Sequence, residues 1–363
     1  MSKIISIATA VPAFKHAQDL LFSFADKIYS ENETDSRKLK FLYRQSGIEY
    51  RYSVAPDFTS AERCFFPDNE SLDPFPTLET RMQWYNKHAA GLSVNAIIDC
   101  IQNKIDKNSI THLITVSCTG MSAPGLDLQI MEAMDLPNNI MRSSVNFMGC
   151  YAAVHALKLA DAFCKSSKDA KVIIVCTELC TIHFQKDLSV DNITASLLFG
   201  DGCAAMLVQA DNSLKGLHID SFFSDVSFKG KKDMAWELSS KGFLMTLTGY
   251  IPDLIKQDFS GLVKNALNTA GKTESDITHW CIHPGGKKIL EAIALSMNID
   301  NNALQYSYDV LKDYGNMSSP TILFVLKKIM AELEQENSDS PATIFAAAFG
   351  PGLTMETFTG TYG

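Results

Sequence analysis

Residues 110–120 read ITHLITVSCTG, and residues 277–286 read ITHWCIHPGG. Both are apolar runs that open on Ile-Thr-His and end in small residues, as a buried strand leading into a turn would. Each follows a segment with helical spacing, GLSVNAIIDCIQNK (91–104) before the first and GLVKNALNTAGK (261–272) before the second. Downstream the match continues. GCYAAVHALKLADAFC (149–164) reads as a helix leading to the strand KVIIVCTE (171–178), and GNMSSPTILFVLKKIMAELEQ (315–335) as a helix leading to the strand ATIFAAAFG (342–350). The chain is thus read as two pseudo-repeated halves, residues 1–210 and 211–363, each running helix, strand, helix, strand. That alternation predicts an α/β fold with a mostly parallel sheet and helices on its faces. Outside the repeat, IISIATAVP at the N-terminus reads as a strand ended by Pro12. Leu20, Leu21, Phe24 and Ile28 predict a helix over residues 14–30, and Thr80 to Lys104 a long one. Residues 53–78, rich in Pro, Asp, Ser and Phe, predict an irregular surface segment.

The bulk properties narrow the function. The chain has 363 residues, 46% of them hydrophobic and 20% charged, which is ordinary globular composition and enough for a large core. A formal net charge of −9 argues against nonspecific nucleic-acid binding, which needs a basic face. The nine cysteines show no CxxC spacing, and several lie in apolar runs, as Cys118, Cys176 and Cys281 do. Reduced, buried thiols and a cytoplasmic location are expected, with no metal site. No run reaches 18 apolar residues and no signal peptide is read at the N-terminus, so no membrane span is expected.

In open α/β sheets ligands bind beyond the carboxyl ends of the strands. His283 lies at such an end, and Cys150 and Asn316 lie at the matching helix starts of the two halves. A pseudo-twofold axis between the halves would bring the three together. Cys150 follows Gly149, which leaves room for an acyl group, and a thiol at a helix N-terminus is expected to favour thiolate. A neighbouring imidazolium would favour it further. A structural buried cysteine fits the same residue. His283, in CIHPGG, is placed to donate a hydrogen bond to a thioester carbonyl; a histidine satisfied within a turn is the alternative. Asn316, in YGNMSSP, is either a neutral amide donor beside His283 or a turn and capping residue. Asp201, in FGDG, reads as a structural turn residue.

These motifs resemble the type III polyketide synthases, the chalcone synthase-like enzymes, in their bacterial form. The resemblance rests on GCYAA (149–153), LFGDG (198–202), HPGG (283–286), YGNMSS (314–319) and FGPGLTMET (349–357). It implies a thiolase fold of αβαβα layers, a homodimer, and a catalytic set of Cys150, His283 and Asn316. It implies acyl-CoA and malonyl-CoA as substrates, an acyltransferase reaction, and no metal or redox cofactor. Phe199 matches one of the family's phenylalanine gatekeepers, and Met245 stands at the second. Cys118, Cys180, His183 and Trp236 are placed by the resemblance around the substrate pocket. Cys180 and His183 stand where plant enzymes carry threonines, Trp236 where they carry a small residue, and Ala123 replaces a methionine that crosses the dimer interface. Lys38, Lys40, Arg44, Gly285 and Gly286 are expected to hold coenzyme A. Two other chemistries use comparable residues: a carrier-protein-dependent ketoacyl synthase, and a Cys-His thioester hydrolase.

Overall fold

The apolar runs of the repeat form strands buried on both faces, as strands covered by helices on two sides must be. The computed structural model describes residues 2–60, 62–210, 214–336 and 340–363. In chain order its strands are β1 (Ser2–Ala10), β2 (Phe14–Ala17), β3 (Tyr50–Ser53), β4 (His112–Ser117), β5 (Met141–Asn146), β6 (Lys171–Leu179), β7 (Asp201–Ala210), β8 (Leu217–Val226), β9 (Met234–Ser239), β10 (Gly242–Leu247), β11 (His279–Ile282), β12 (Ala342–Gly350) and β13 (Thr354–Tyr362). Its helices are α1 (Gln18–Tyr29), α2 (Glu33–Gln45), α3 (Leu78–Ile101), α4 (Leu126–Met134), α5 (Ala152–Ser166), α6 (Val190–Leu198), α7 (Ile251–Ala270), α8 (Lys287–Met297), α9 (Gln305–Tyr314) and α10 (Thr321–Glu336).

The main sheet runs β11-β12-β13-β8-β1-β7-β6-β4-β5. Two four-strand runs within it match. In β4-β6-β7-β1 and in β11-β12-β13-β8, one parallel pairing is followed by two antiparallel ones. The halves meet where β1 pairs with β8, Lys3 opposite His218 and Ile4 opposite Leu217. The internal repeat is therefore real in three dimensions. The sheet is mixed, however, not mostly parallel: among the described strands only β4/β5, β4/β6 and β11/β12 pair in parallel. The tight turn at 351–353 between β12 and β13 is too short for a crossover and forces an antiparallel return.

Strand alternation divides the core. Ile344, Ala346 and Ala348 of β12 and Val172, Ile174 and Cys176 of β6 join α5 (Val154, Leu157) and α10 (Ile322, Val325, Leu326, Ile329) in a central apolar layer. The opposite faces, with Phe345, Phe349, Ile173 and Val175, pack with α3 (Ala89, Ile97) and α7 (Phe259, Val263). Helix, sheet, helix, sheet, helix is the αβαβα thiolase layering expected from the sequence. The boundary expected between residues 210 and 211 falls beside residues 211–213, which lie outside the described ones.

Two local expectations are corrected. Residues 14–30 split, because Phe14–Ala17 pairs with Tyr50–Ser53 as a short antiparallel ribbon before α1 begins. Residues 53–78 are irregular and in good part exposed, as expected, but their phenylalanines are not on the surface. Phe58, Phe65 and Phe66 are buried, and their rings pack edge to face with Phe24, Phe184 and Trp84. Aromatic burial, rather than secondary structure, holds that stretch in place. The hairpin β9–β10 stands apart from the main sheet, with Met245 opposite Trp236.

Candidate active site

Cys150, His283 and Asn316 converge. All three line one cavity, together with Cys118, Cys180, Phe199, Trp236, Met245 and Gly285. The pseudo-twofold relation does this as expected: α5 and α10 share the central apolar layer, and the loops before them meet at the bridge between Phe199 and Asn316 and at the contact of Cys150 with Ser318. A parallel bridge between Phe199 and Asn316 fastens the two halves there, with Asn316 N–H donating to Leu198 O at 2.9 Å and Gly200 N–H to Asn316 O at 3.0 Å. Space in the cavity open to the centre of a water-sized sphere is about 50 Å³.

Cys150 lies in a single 3₁₀ turn, Gly149–Tyr151, that feeds α5. Gly149 has φ of +80°, and a Cβ there would collide with the Pro351 ring, so a glycine is required on both counts. The Cys150 thiol lies 3.6 Å from Ser318 Oγ. Burial pushes it up to about 11, against the opposing pull of Ser318. The shift runs opposite to the thiolate expected from the sequence, because desolvation outweighs the helix terminus. Ser318, at φ of +60°, is in the left-handed region, as are Phe147 and Leu353 nearby. Such strain, about 1–3 kcal/mol per residue, is commonly held at functional sites.

His283 follows β11, is 1% exposed, and has no hydrogen-bond partner on either ring nitrogen among the described residues. Burial lowers it to about 3, so it is a neutral imidazole rather than the imidazolium considered from the sequence. Asn316 Nδ2 donates to Gly285 O at 3.3 Å, and Asn316 Oδ1 accepts from Ser318 N–H at 2.8 Å. Its amide is thus oriented by the HPGG loop and is not a helix cap. Proline 320 directly precedes α10.

The wall residues divide. Phe199, Met245, Cys118, Cys180 and Trp236 all face the cavity. Trp236 Nε1–H donates to Cys118 O at 2.7 Å. His183 does not face it. Its Nε2 lies 2.7 Å from Thr119 O and its Nδ1 accepts from Phe243 N–H at 3.1 Å, so the proton sits on Nε2 and both nitrogens are spoken for. The Phe243 ring stacks on it at 4.4 Å. His183 therefore anchors the β9–β10 hairpin. Lys38, Lys40 and Arg44 are exposed on α2 and do not line the cavity. Lys40 Nζ sits 5.7 Å from the Phe22 ring centre. Gly285 lines the cavity, and Gly286 is buried just ahead of α8.

Two further residues belong to the site beyond those expected. Ser318 lines the cavity. Glu178 is a carboxylate inside the apolar strand VIIVCTE, a signal present in the sequence. It is fully buried, accepting from Ser319 Oγ at 2.6 Å, Thr119 Oγ1 at 2.7 Å and Cys118 N–H at 2.9 Å. Asp201 is structural, as read: it accepts from Val54 N–H, Thr181 N–H and the Thr181 hydroxyl.

The sequence matches the two domain models of a known family. The description "Chalcone and stilbene synthases, N-terminal domain" matches residues 1–212, and its C-terminal counterpart matches residues 223–360. The chain belongs to the chalcone and stilbene synthase family, the type III polyketide synthases. That family is of the acyltransferase class and condenses malonyl-CoA. The chain is 32% identical over 286 residues to the alpha-pyrone synthesis polyketide synthase-like Pks18 of Mycobacterium tuberculosis, covering 77% of this chain and 72% of that protein. It is 28% identical to the probable polyketide synthase 1 of Dictyostelium discoideum, covering 98% of this chain but 11% of that much longer protein. The crystal structure of the C-terminal type III polyketide synthase domain of Steely1, a type I/III hybrid from Dictyostelium, superposes with a TM-score of 0.90 at 26% identity over 99% of both chains. Among the described residues no helix is long and apolar enough to cross a membrane.

Glu178 supplies a test of the buried network. Burial raises it to about 7 from an ordinary 4.5, against four hydrogen bonds that favour the carboxylate. The folded state therefore holds this proton more tightly than the unfolded chain. The resulting stability is complete below about pH 4.5 and is lost as pH rises through about 7. Glu178→Gln cannot ionise, so its stability relative to wild type should improve by ~3 kcal/mol between acid and mildly alkaline pH. Urea midpoints measured across that range check it, and a difference independent of pH refutes the raised value.

Proposed function

We propose that this chain is an iterative condensing enzyme that draws an acyl starter from an acyl-CoA onto Cys150 and extends it with malonyl-CoA, with closure to a pyrone, resorcinol or phloroglucinol-type product. The observation that carries this reading is His283: a nearly fully buried imidazole beside a cysteine and an amide, with both ring nitrogens unpartnered. A buried polar group left unpaired is costly, and a ligand oxygen in the cavity would relieve the cost.

In the first step Sγ of Cys150 adds to the starter carbonyl and the bond to CoA sulfur breaks. The proton leaves the thiol for His283 and passes to the departing CoA thiolate. Malonyl-CoA then loses carbon dioxide, and the electron pair of the broken carbon–carbon bond becomes an enolate. The enolate oxygen accepts from a His283 ring N–H and from Asn316 Nδ2. Both donors are neutral, which stabilises the charge without quenching the carbanion by proton transfer. The enolate carbon attacks the Cys150 thioester, the carbon–sulfur bond breaks, and the Cys150 thiolate takes up a proton from solvent water. The lengthened chain leaves on CoA and returns to Cys150 for the next round. Decarboxylation supplies the carbanion, so this scheme needs no metal or redox cofactor.

Three further assignments belong to this reading. Lys38, Lys40 and Arg44 supply a cationic approach for the CoA phosphates. The enzyme works as a homodimer, supported by β5: among the described strands it ends the sheet with one edge unpaired, Met141 on it is 60% exposed, and Ala123, in the loop before α4, is exposed too. A cytoplasmic location suits nine unpaired thiols, and cell fractionation checks it.

Mass spectrometry of the purified protein with malonyl-CoA and acyl-CoA starters, in the presence of EDTA, should reveal products lengthened by decarboxylated malonyl units. Cys150→Ala should abolish them, and His283→Ala should slow decarboxylation by roughly 10²–10³-fold. Free CoA and free acid without extension would favour a hydrolase, and activity only with a carrier protein would favour a ketoacyl synthase. Reversing charge at Lys38 and Lys40 should raise KM for malonyl-CoA by at least about threefold with kcat little changed; an unaltered KM removes α2 from the CoA site. Met141→Glu should convert a dimer to monomer in sedimentation, and a wild-type monomer ends the dimer assignment.

A further inference from the structure

The stretch SRKLKFLYRQSGI (36–48) holds four cations and no carboxylate, in a chain whose formal net charge is −9. It makes up most of α2 and the turn after it. At 3.6 residues per turn, burial of Leu39 and Tyr43 fixes which side of α2 faces out. Phe41 stands at the crest of that outer side. Arg37 and Lys38 lie one turn before it and Arg44 one turn after, all of them exposed. Phe41 is itself 63% exposed, and Leu42 beside it 43%. Helix α1 returns alongside in the opposite direction: the Phe22 ring lies 5.8 Å from that of Tyr43 and 5.7 Å from Lys40 Nζ. That packing sets Leu20, 54% exposed at the start of α1, beside the same end of α2.

The fold does little to neutralise this face. Among the described residues the one carboxylate within ion-pair distance of the four cations is Glu33, 3.9 Å from Arg37, and both of those side chains are highly exposed. Single exposed apolar residues are ordinary. Here three of them stand among cations, and that combination is what an interfacial helix needs. Ammonium and guanidinium groups meet the headgroup phosphates, while a ring and aliphatic chains sink to the acyl boundary. Side chains that protrude from a convex helix suit a deformable lipid surface, whereas a folded protein would need a matching groove.

We propose that the outer side of α2, with Leu20 of α1, docks the protein on an anionic lipid surface. The cationic approach for CoA assigned above to Lys38, Lys40 and Arg44 makes no use of Phe41, Leu42 or Leu20, so these apolar side chains are left for the bilayer. The far end of α2 leads to the site. A Cβ at Gly47, just past the helix, would meet the Lys287 side chain at 3.3 Å, and Lys287 opens α8 directly after HPGG. Docking through α2 therefore keeps the HPGG side of the cavity close to the headgroups, where amphiphilic thioesters gather. Lipid binding is read with no substrate present, so it stands or falls separately from the condensing chemistry at Cys150.

Sedimentation with vesicles tests the docking face. Vesicles of equal parts phosphatidylcholine and phosphatidylglycerol should carry the wild-type protein down, and vesicles of phosphatidylcholine alone should not. Binding should weaken about tenfold as sodium chloride is raised to screen the surface. Phe41→Ser combined with Leu42→Ser should lower the partition coefficient about tenfold, as two partly buried apolar side chains are lost. Arg37→Glu reverses a charge, keeps the apolar side chains, and should cost a similar factor. All three positions are exposed, so the circular dichroism and thermal midpoint of both variants should match the wild type. Equal binding to phosphatidylcholine alone, indifference to salt, or variants that bind as the wild type does overturns the lipid docking. Capture of an acidic, phosphopantetheine-bearing carrier protein through Phe41 and Leu42, with no vesicle binding, assigns the face to a protein partner and overturns it equally.

Discussion

The carboxylate of Glu178 binds together three segments that come from distant parts of the chain. It enters from the end of β6, receives the turn after β4 through Cys118 N–H and the Thr119 hydroxyl, and receives the start of the C-terminal half's central helix through Ser319 Oγ. An acceptor with no competing water is a strong constraint, since each donor it holds would otherwise be buried unpaired. The turn it fixes carries Cys118, whose sulfur accepts from Gly149 N–H at 3.0 Å and whose carbonyl accepts from Trp236. The position of Cys150 and the placement of the hairpin over the cavity both follow from that one anchor.

The rest of the site is an exercise in burial. Placing a thiol, an imidazole and an amide in a small apolar space raises the thiol and lowers the imidazole, so burial favours the neutral form of both. Neutrality also suits decarboxylation, where an acidic group near the enolate would protonate it and end the reaction. The strained backbone at Ser318 is consistent with a loop shaped for position rather than for its own stability.

Around that centre the walls differ in how firmly they are held. His183 and Trp236 tie the β9–β10 hairpin down at two points, through Thr119 O, Phe243 N–H and Cys118 O. Met245 on the same hairpin is tied by nothing comparable. The hairpin is thus a roof fixed at two points, with one side chain left untied.

The sequence by itself determined the repeat, the strand and helix of each half, and the identities of Cys150, His283 and Asn316. Apolar periodicity is a local property, and the two halves spell it twice with small residues at equivalent ends. It also carried most of the cavity wall, through motif resemblance at Phe199, Met245 and Trp236. Only the tertiary structure decided what depends on solvent and on distant neighbours. The thiol is neutral because of its burial, which no local pattern around Gly149 announces. His183 is a hairpin anchor because its two partners lie about 60 residues away on either side in sequence. The sheet is mixed because loop geometry, not strand composition, sets direction, and Phe58, Phe65 and Phe66 are interior because Phe24, Trp84 and Phe184 bring their rings to the same place. The lysines of α2 show the limit from the other side: a basic run is legible in sequence, but its distance from the cavity is a matter of fold.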